Sequence, residues 1–486
     1  MISIRNEQEA NQIKLYISFL TKFLREFTWL IDSFVLDFFT DNHWSKLPFS
    51  WQLCLCNVEP QDLSVWLTKE KMSYKEVWPL GLQALRIVAH TFTLSRKAVT
   101  CFHQLEQFLN SFKFENKDRN INSNEDAEML KCSDFDHIFT RHVKPKKRHE
   151  IERIAQIAQV VLQNIKCHNV VDIGSGQGHL SRLLSLRYGF QVITMETIES
   201  HIKTAEKYDK KALREIVKKQ NNSNLNEKSE LSALILPKHI VYHISESTSE
   251  SELIQMIKKN WETDVINSDI FFSIVGLHTC GNLAVNMIKL FLNNFEANVI
   301  LSVGCCYMKL DLNRNFPLSN FLKNSKFTLT YEALEISCHA IETYTERLRR
   351  NADCLKIHCY RATLETLIVK YLPEMKHFGL HSIKHADKMP FSVYVQNALK
   401  RIDLNITPED VSSPYINECL EHWKLVVIFY SLRLMIAPVI ETLVLLDRLL
   451  FLYEKGCSCC LMPLFDPKIS PRNQILIGVK PNIFKH

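Results

Sequence analysis

Short apolar runs alternate with amphipathic segments between residues 143 and 304 of this 486-residue chain. Apolar positions at helical spacing predict helices at 149–163, 179–188 and 198–219. The apolar runs predict five strands, at 168–173, 190–195, 239–244, 270–275 and 298–303. Two neighbouring parallel strands must be joined by a crossover of about a dozen or more residues, which is usually a helix. Strands that alternate with helices along the chain therefore indicate a parallel sheet. The pattern therefore predicts an α/β domain over residues 143–304.

The segments on either side of this domain have a different pattern. Residues 1–112 carry apolar side chains at helical spacing and predict a helical N-terminal domain. The polar stretch at 113–142 predicts a linker, and residues 305–420 predict a mostly helical insertion after the fifth strand. Residues 421–486 complete the sheet domain. Their predicted elements are a long helix at 424–455 and two strands, at 457–465 and 474–479.

The most apolar stretch of the chain lies at 425–453. It contains Arg433, Glu441 and Asp447, and charges near the centre of a lipid span are costly. We therefore predict a long buried helix here and no stable membrane span.

The net charge and the cysteine content bear on the possible partners and on the cellular compartment of the protein. The net charge of +6 permits contacts with nucleic acid but does not by itself argue for them. Fifteen cysteines follow an N-terminus that is polar and unlike a secretory signal. We therefore expect reduced thiols in the cytoplasm, the nucleus or both.

A glycine-rich turn joins the first predicted strand to the helix that follows it. Glycine at every second position lets the backbone approach a ligand with no Cβ in the way. The spacing is G-x-G-x-G, not the G-x-G-x-x-G of dinucleotide-binding units, and no G-K-[ST] follows. The D-x-G-x-G-x-G pattern is typical of class I S-adenosylmethionine (SAM) methyltransferases. The predicted cofactor-binding residues of this segment are Asp172, Gly174, Ser175, Gly176 and Gly178.

Acidic and polar residues follow the next two strands. Glu196 closes the second strand, where a carboxylate can accept hydrogen bonds from ribose hydroxyls. Ser245 and Glu246 follow the third strand and are candidates for contact with the adenine edge, the alternative being an ordinary loop. All three are predicted to bind the cofactor.

The segments after the fourth and fifth strands carry the candidates for methyl transfer. Ligands of open α/β sheets bind beyond the carboxyl ends of the strands. His278 is either a base on the acceptor or a packed, hydrogen-bonded histidine. Tyr307 is the second catalytic candidate, and the acceptor contacts predicted beside it are Cys280, Asn282 and Lys309.

We predict no metal site. The alternative is a metal bound by Cys280, Cys305, Cys306 and a histidine, but buried cysteines more often act as small hydrophobic residues.

A basic segment, K-P-K-K-R-H-E, precedes the α/β domain at 144–150. Lys147 and His149 are candidates for contact with the substrate, either through phosphates or as a cap on the cofactor pocket. The alternative is a solvated start of a helix.

Together these blocks resemble the methyltransferase-like protein 25 family, especially its 25B branch. The matching blocks are VWPLGLQAL (77–85), KPKKRHEI (144–151), VVDIGSGQGHLSR (170–182), GLHTCGNL (276–283), SVGCCYMKL (302–310), CHAIETYTERL (338–348), HCYRATLET (358–366), APVIETLVLLDRLL (437–450) and SPRNQILIGVK (470–480). The resemblance covers most of the chain. It implies a class I SAM-dependent methyltransferase with a seven-stranded, Rossmann-like sheet.

The resemblance leaves the acceptor open. The name of the 25B branch refers to adenine dimethylation of ribosomal RNA. Adenine-N6 enzymes carry an N-[LIP]-P-[YFW] block after the fourth strand, whereas this chain has G-L-H-T-C-G-N-L there. That block is similar to the H-x-C-G block of a transfer-RNA ribose methyltransferase family.

The sequence thus predicts a SAM-dependent methyltransferase that acts on a macromolecule, either RNA or protein. A partner subunit is an open question. The alternative is a non-catalytic binding or scaffold protein on a methyltransferase fold, because fold alone does not fix function. The glycine spacing disfavours an NAD-dependent oxidoreductase.

Overall fold

A computed structural model describes the chain at residues 1–68, 77–111, 136–222, 234–246, 248–261, 270–351, 353–377, 379, 383–400, 404 and 406–480. These residues form two compact units. Unit 1 contains residues 1–17, 95–328 and 444–486, and unit 2 contains residues 18–94 and 329–443. The predicted N-terminal domain and the predicted insertion thus both supply residues to unit 2. Most of the predicted linker, 113–142, lies outside the described residues.

Unit 1 is built on an eight-stranded sheet with the order β1-β7-β8-β6-β5-β2-β3-β4. The strands are β1 Ile2–Ile4, β2 Asn169–Ile173, β3 Gln191–Glu196, β4 Lys238–Val241, β5 Phe272–Thr279, β6 Ala297–Gly304, β7 Ser458–Pro463 and β8 Gln474–Val479. Strands β2 to β6 pair in parallel with one another. Strands β8, β7 and β1 extend the sheet by antiparallel pairing.

The predicted count of seven strands is wrong by one in the described sheet. The additional strand is β1, whose Ile2, Ser3 and Ile4 pair with Leu461, Cys460 and Cys459 of β7. A three-residue strand is too short to show an alternating pattern, so its pairing depends on a distant edge of the sheet. The five parallel strands and the final antiparallel pair all form where the sequence predicts them, with ends shifted by up to a few residues.

Helices of unit 1 cover the sheet and carry part of the candidate site. They are α6 His103–Asn110, α7 Asp136–Thr140, α8 Pro145–Asn164, α9 His179–Tyr188, α10 Glu199–Asn222, α11 Glu250–Asn260, α12 Asn282–Asn293 and α13 Asn320–Asn324. Helix α8 buries Ile154, Ala158 and Val161 in a core that includes Val170 of β2 and Val299 of β6. This packing fixes α8 against the sheet, because interior side chains interdigitate closely.

Every secondary-structure element described in unit 2 is a helix. Its helices are α2 Thr28–Ile31, α3 Phe49–Leu55, α4 Pro60–Trp66, α5 Leu80–Thr91, α14 Tyr331–Ser337, α15 Ile341–Arg349, α16 Lys356–Tyr371, α17 Phe391–Ala398, α18 Pro408–Val411 and α19 Pro414–Glu421. Leu364 and Ile368 of α16 pack with Phe391, Tyr394 and Ile416 in one of its apolar clusters.

Two long helices contribute residues to both units, α1 Glu7–Glu26 and α20 Trp423–Glu454. Helix α20 matches the predicted long buried helix, and Arg433 and Asp447 within it are hydrogen-bonded. Arg433 donates to the carbonyl oxygens of Ile31 and Glu332, at 3.0 and 3.4 Å. A buried charge is tolerated when it is paired in this way. Among the described helices, none is both long enough and apolar enough to cross a membrane.

Candidate active site

The glycine-rich turn lies at the carboxyl end of β2, as the strand–turn–helix pattern predicts. Gly174, Gly176 and Gly178 all have positive φ, at +71°, +57° and +66°. A Cβ at Gly178 would lie 3.0 Å from His239, but a Cβ at Gly176 would have no neighbour within 4 Å. The backbone at Gly176 therefore borders open space, and a left-handed conformation favours glycine there.

The carboxylate of Glu196 closes this turn from the end of β3. Its Oε2 accepts a hydrogen bond from the Gly176 amide at 2.9 Å, and its Oε1 accepts one from the Ile198 amide at 3.0 Å. Strands β2 and β3 are parallel neighbours, with Ile173 opposite Met195, so both carboxyl ends meet at this point. The Glu196 side chain is thereby fixed beside the open face of Gly176.

Asp172 lies beneath the turn and is almost completely buried. Its Oδ2 accepts a hydrogen bond from Ser181 Oγ of α9 at 2.5 Å. Burial raises the pKa of Asp172 to about 6, and the Ser181 hydrogen bond opposes this shift only in part. The site therefore contains a carboxyl group whose ionised form is poorly solvated.

Ser175 contributes a buried polar atom to the site. Its Oγ is buried and forms no hydrogen bond among the described residues. A buried hydroxyl without a partner costs free energy, and such groups in native proteins call for an explanation such as a bound ligand or water.

His278 lies at the end of β5 and is held by a buried carboxylate of α8. Its Nε2 lies 2.8 Å from Oε2 of Glu150, whose Oε1 accepts a hydrogen bond from Ser470 Oγ at 2.5 Å. Burial opposes ionisation of Glu150, but the hydrogen bond and charge of His278 outweigh it and lower the pKa of the carboxyl. The backbone of His278 is left-handed, with a φ of +64° that is uncommon for a residue other than glycine.

Glu150 is a site residue that the sequence analysis did not single out. It is 1% exposed, and it lies 128 positions from His278 along the chain. A weak local signal was present, because Lys147 and Glu150 share one face of α8 at a spacing of three residues.

Lys147 faces the carboxylates of the site from the first turn of α8. Burial lowers the pKa of Lys147, while the charges of Glu150, Asp172 and Glu196 act in the opposite direction. These carboxylates are thus close enough to act on the Lys147 ammonium. His149 has a structural partner, since its Nε2 accepts a hydrogen bond from the Asp466 amide at 3.0 Å.

Three thiols converge where β5 and β6 end. Cys280 Sγ lies 2.9 Å from Cys305 Sγ and 3.4 Å from Cys306 Sγ, and the last two sulfurs are 3.6 Å apart. Hydrogen bonding from the Cys305 thiol lowers the pKa of Cys280 to about 5, and the same contact raises the pKa of Cys305.

Some of the predicted catalytic and acceptor-binding residues contact other residues of the chain. Tyr307, the second catalytic candidate, is buried, and the Arg448 guanidinium lies 5.6 Å from its ring centroid. Asn282 Oδ1 accepts a hydrogen bond from the Asp311 amide at 2.8 Å, which joins the segments after β5 and β6. Lys309 is exposed at the surface of the second segment.

The residues after β4 are also engaged by neighbouring protein groups. Glu246 accepts a hydrogen bond from Asn315 at 2.8 Å and pairs with Arg314 at 3.3 Å. The Ser245 amide donates to Thr248 Oγ1 at 2.8 Å. The structure therefore brings Asp172, Ser175, Gly176 and Glu196 together with Lys147 and His278, but it gives Glu246 a different set of partners.

Comparison with known proteins agrees with this arrangement. A family model described as a methyltransferase domain matches residues 146–313, the range that contains the turn, Glu196, His278 and the three thiols. Human probable methyltransferase-like protein 25 is 23% identical over 95% of this chain and 96% of its own length. The mouse protein of the same name is 22% identical over 69% of this chain and 75% of its own length.

No solved structure matches the chain significantly. The relatives confirm the resemblance to methyltransferase-like protein 25. The chain is thus similar to probable methyltransferase-like protein 25 of human and mouse, and its residues 146–313 match a methyltransferase-domain model.

Proposed function

We propose that this chain is a class I methyltransferase that uses SAM as its methyl donor. The single observation that carries the proposal is the bond from the Gly176 amide to the Glu196 carboxylate at the carboxyl ends of β2 and β3. The strand order supports it, because β3 and β4 lie on one side of β2 and β5 and β6 on the other. Ligands of open α/β sheets bind at this reversal of direction.

The residues at this point fit the polar groups of SAM. Glu196 offers carboxylate oxygens to the ribose hydroxyls, and the open space beside Gly176 lets the ligand contact the backbone. Ser175 offers a buried hydroxyl that has no partner among the described residues, and Asp172 offers a negative charge below the turn. Bound SAM would supply an electrophilic methyl group, and the protein would supply position and alignment.

His278 is the candidate base on the acceptor. The Glu150 carboxylate fixes its Nε2, which leaves Nδ1 as the other ring nitrogen able to take a proton. A carboxylate that orients a histidine in this way holds one tautomer in place. Transfer then needs the acceptor heteroatom in line with the methyl group and close to the imidazole.

A macromolecule, RNA or protein, is the proposed acceptor. The additional helical unit offers more surface than recognition of a small molecule requires, which supports this class. The alternative is a binding or scaffold protein that retains the fold without catalysis.

Calorimetric titration separates these two functions. SAM and its demethylated product should both bind the purified chain with micromolar dissociation constants. Labelled methyl transfer from SAM into RNA and protein fractions would then identify the acceptor class. Failure of a well-folded chain to bind either ligand would contradict the proposed enzyme.

Gly176→Ala should weaken SAM binding, and it should also strain the backbone because Gly176 has a positive φ. Its Cβ would enter the open space beside Glu196, and crowding a packed contact costs about 1–3 kcal/mol, or roughly 5- to 150-fold in dissociation constant. Gly189→Ala is the matched control, because Gly189 also has positive φ, at +72°, and no atom within 4 Å of its Cβ position. Equal SAM affinities in the two variants would place the ligand elsewhere.

His278→Ala should lower turnover by about 10²- to 10⁴-fold, which is the usual contribution of a general base. SAM affinity should stay within about twofold, since the imidazole serves the acceptor. Initial rates with labelled SAM, beside calorimetry, separate the two effects. His103→Ala, at an exposed histidine of α6, controls for loss of a surface imidazole. An unchanged rate in His278→Ala would remove this histidine from the reaction.

A further inference from the structure

The segments after β5 and β6 bring three sulfur atoms within 3.6 Å of one another. We propose that Cys280, Cys305 and Cys306 bind one zinc ion at this edge of the sheet. Zinc is commonly bound in proteins by cysteine thiolates.

The observed separations are close to those that zinc requires. With Zn–S bonds of about 2.3 Å, two ligands of a tetrahedral site lie about 3.8 Å apart. The present distances of 2.9, 3.4 and 3.6 Å must therefore widen, by at most about 0.9 Å for the pair Cys280 and Cys305. Small side-chain rotations would open the triangle by that amount, with no movement of β5 or β6.

The backbone that carries the thiols is held together by other contacts. A Cβ at Gly281 would overlap the carbonyl oxygen of Lys309, so the segments after β5 and β6 touch at that position. Asn282 Oδ1 accepts the Asp311 amide hydrogen a few residues further on. A metal site is strongest when its ligands are positioned in advance by such supporting contacts.

Two cationic side chains lie near the three sulfur atoms. The Lys309 ammonium acts on Cys280, and the Arg448 guanidinium acts on Cys305. Three thiolates around a divalent ion leave one excess negative charge, which these cations offset.

All three cysteines are partly exposed, so a metal ion can reach them from solvent. Three protein ligands leave the fourth position of a tetrahedral ion to water or to an incoming group. That pattern belongs to catalytic rather than structural zinc sites. The inference does not rest on methyl transfer, because zinc can be measured without SAM or acceptor.

Zinc content of the full chain tests the site. The protein should be purified in a thiol reductant without chelator, equilibrated with equimolar zinc and dialysed, and then measured by mass spectrometry of the elements. We expect about one zinc per chain in the wild type. Cobalt in place of zinc should give the sulfur-to-metal charge-transfer absorption of a thiolate site.

Cys280→Ser and Cys306→Ser should each weaken zinc binding by more than about 100-fold, since loss of an outer partner alone often costs 10- to 100-fold. Cys354→Ser is the matched control, because Cys354 is partly exposed but lies outside the cluster. Circular dichroism confirms that each variant is folded.

Two results would overturn the site. One is a wild-type chain that holds no more zinc than Cys280→Ser. The other is zinc that stays in both cluster variants, which would place the ion elsewhere. A disulfide between Cys280 and Cys305 in oxidised protein, with no zinc in the reduced protein, counts as the first result.

Discussion

Glu196→Gln should raise the dissociation constant for SAM by about 10- to 150-fold, because hydrogen bonds to a charged group contribute about 1.5–3 kcal/mol. The two oxygens of Glu196 accept from the amides of Gly176 and Ile198. Glutamine has one acceptor oxygen, so its NH₂ group must face one of these N–H groups. The turn would then open at the position where the ribose is expected. Calorimetry on the purified variant measures the loss.

Glu199→Gln is the control for this change. Glu199 lies in the first turn of α10 and pairs with Lys203 at 2.8 Å on an exposed surface. Its substitution removes the same charge a few residues from Glu196 and should leave SAM affinity within about twofold, because exposed ion pairs contribute little. Equal losses in the two variants would indicate a general electrostatic effect and contradict a ribose contact at Glu196.

Local signals were sufficient to predict the elements that frame the turn. The apolar run before Gly174 and the amphipathic segment from His179 to Tyr188 predict β2 and α9 closely, because each pattern lies within one continuous segment. Glu196 follows from the same logic, since it closes the strand next to β2. Strands and helices that are bounded by glycine-rich turns can therefore be predicted from the sequence.

Features that depend on contacts between distant segments could not be predicted from the sequence. Glu150 reaches His278 only because α8 packs on the sheet. Tyr307 was predicted as a catalytic residue from its place after the fifth strand, but its burial beside Arg448 of α20 depends on a segment far along the chain. The residues of unit 2 come from two segments that are far apart in the chain. No local periodicity records which distant segments share a core.

For the three clustered cysteines, the sequence predicts the location but not the distances. Cys280 and Cys305 each follow a predicted strand, so their position at one edge of the sheet follows from topology. Their separation of 2.9 Å depends on the register of β5 against β6, including a bulge between Leu277 and Thr279. Register is fixed by packing across the sheet and not by the pattern of either strand alone.

Asp172→Asn should stabilise the ligand-free protein while it weakens SAM binding. The pKa of Asp172 is about 6 in the folded chain, against an ordinary value of 3.8. The folded state thus retains a proton that the unfolded state has lost between these values, so ionisation disfavours folding as pH rises through that window. Above pH 6 the cost is about 1–3 kcal/mol, and asparagine removes it. Thermal unfolding at pH 7.5 and pH 4 measures the difference, which should shrink at the lower pH.

Asp209→Asn is the matched control, because it should have the opposite effect on stability. Asp209 is also buried, but it lies 2.6 Å from both Arg182 Nε and His239 Nε2. Removing its charge leaves the buried Arg182 guanidinium uncompensated, at a cost of about 3–5 kcal/mol. A carboxylate that destabilises its own fold is expected where a ligand makes use of the charge. If Asp172→Asn instead destabilised the chain at pH 7.5, as is expected of Asp209→Asn, the Asp172 carboxylate would serve the fold and not cofactor binding.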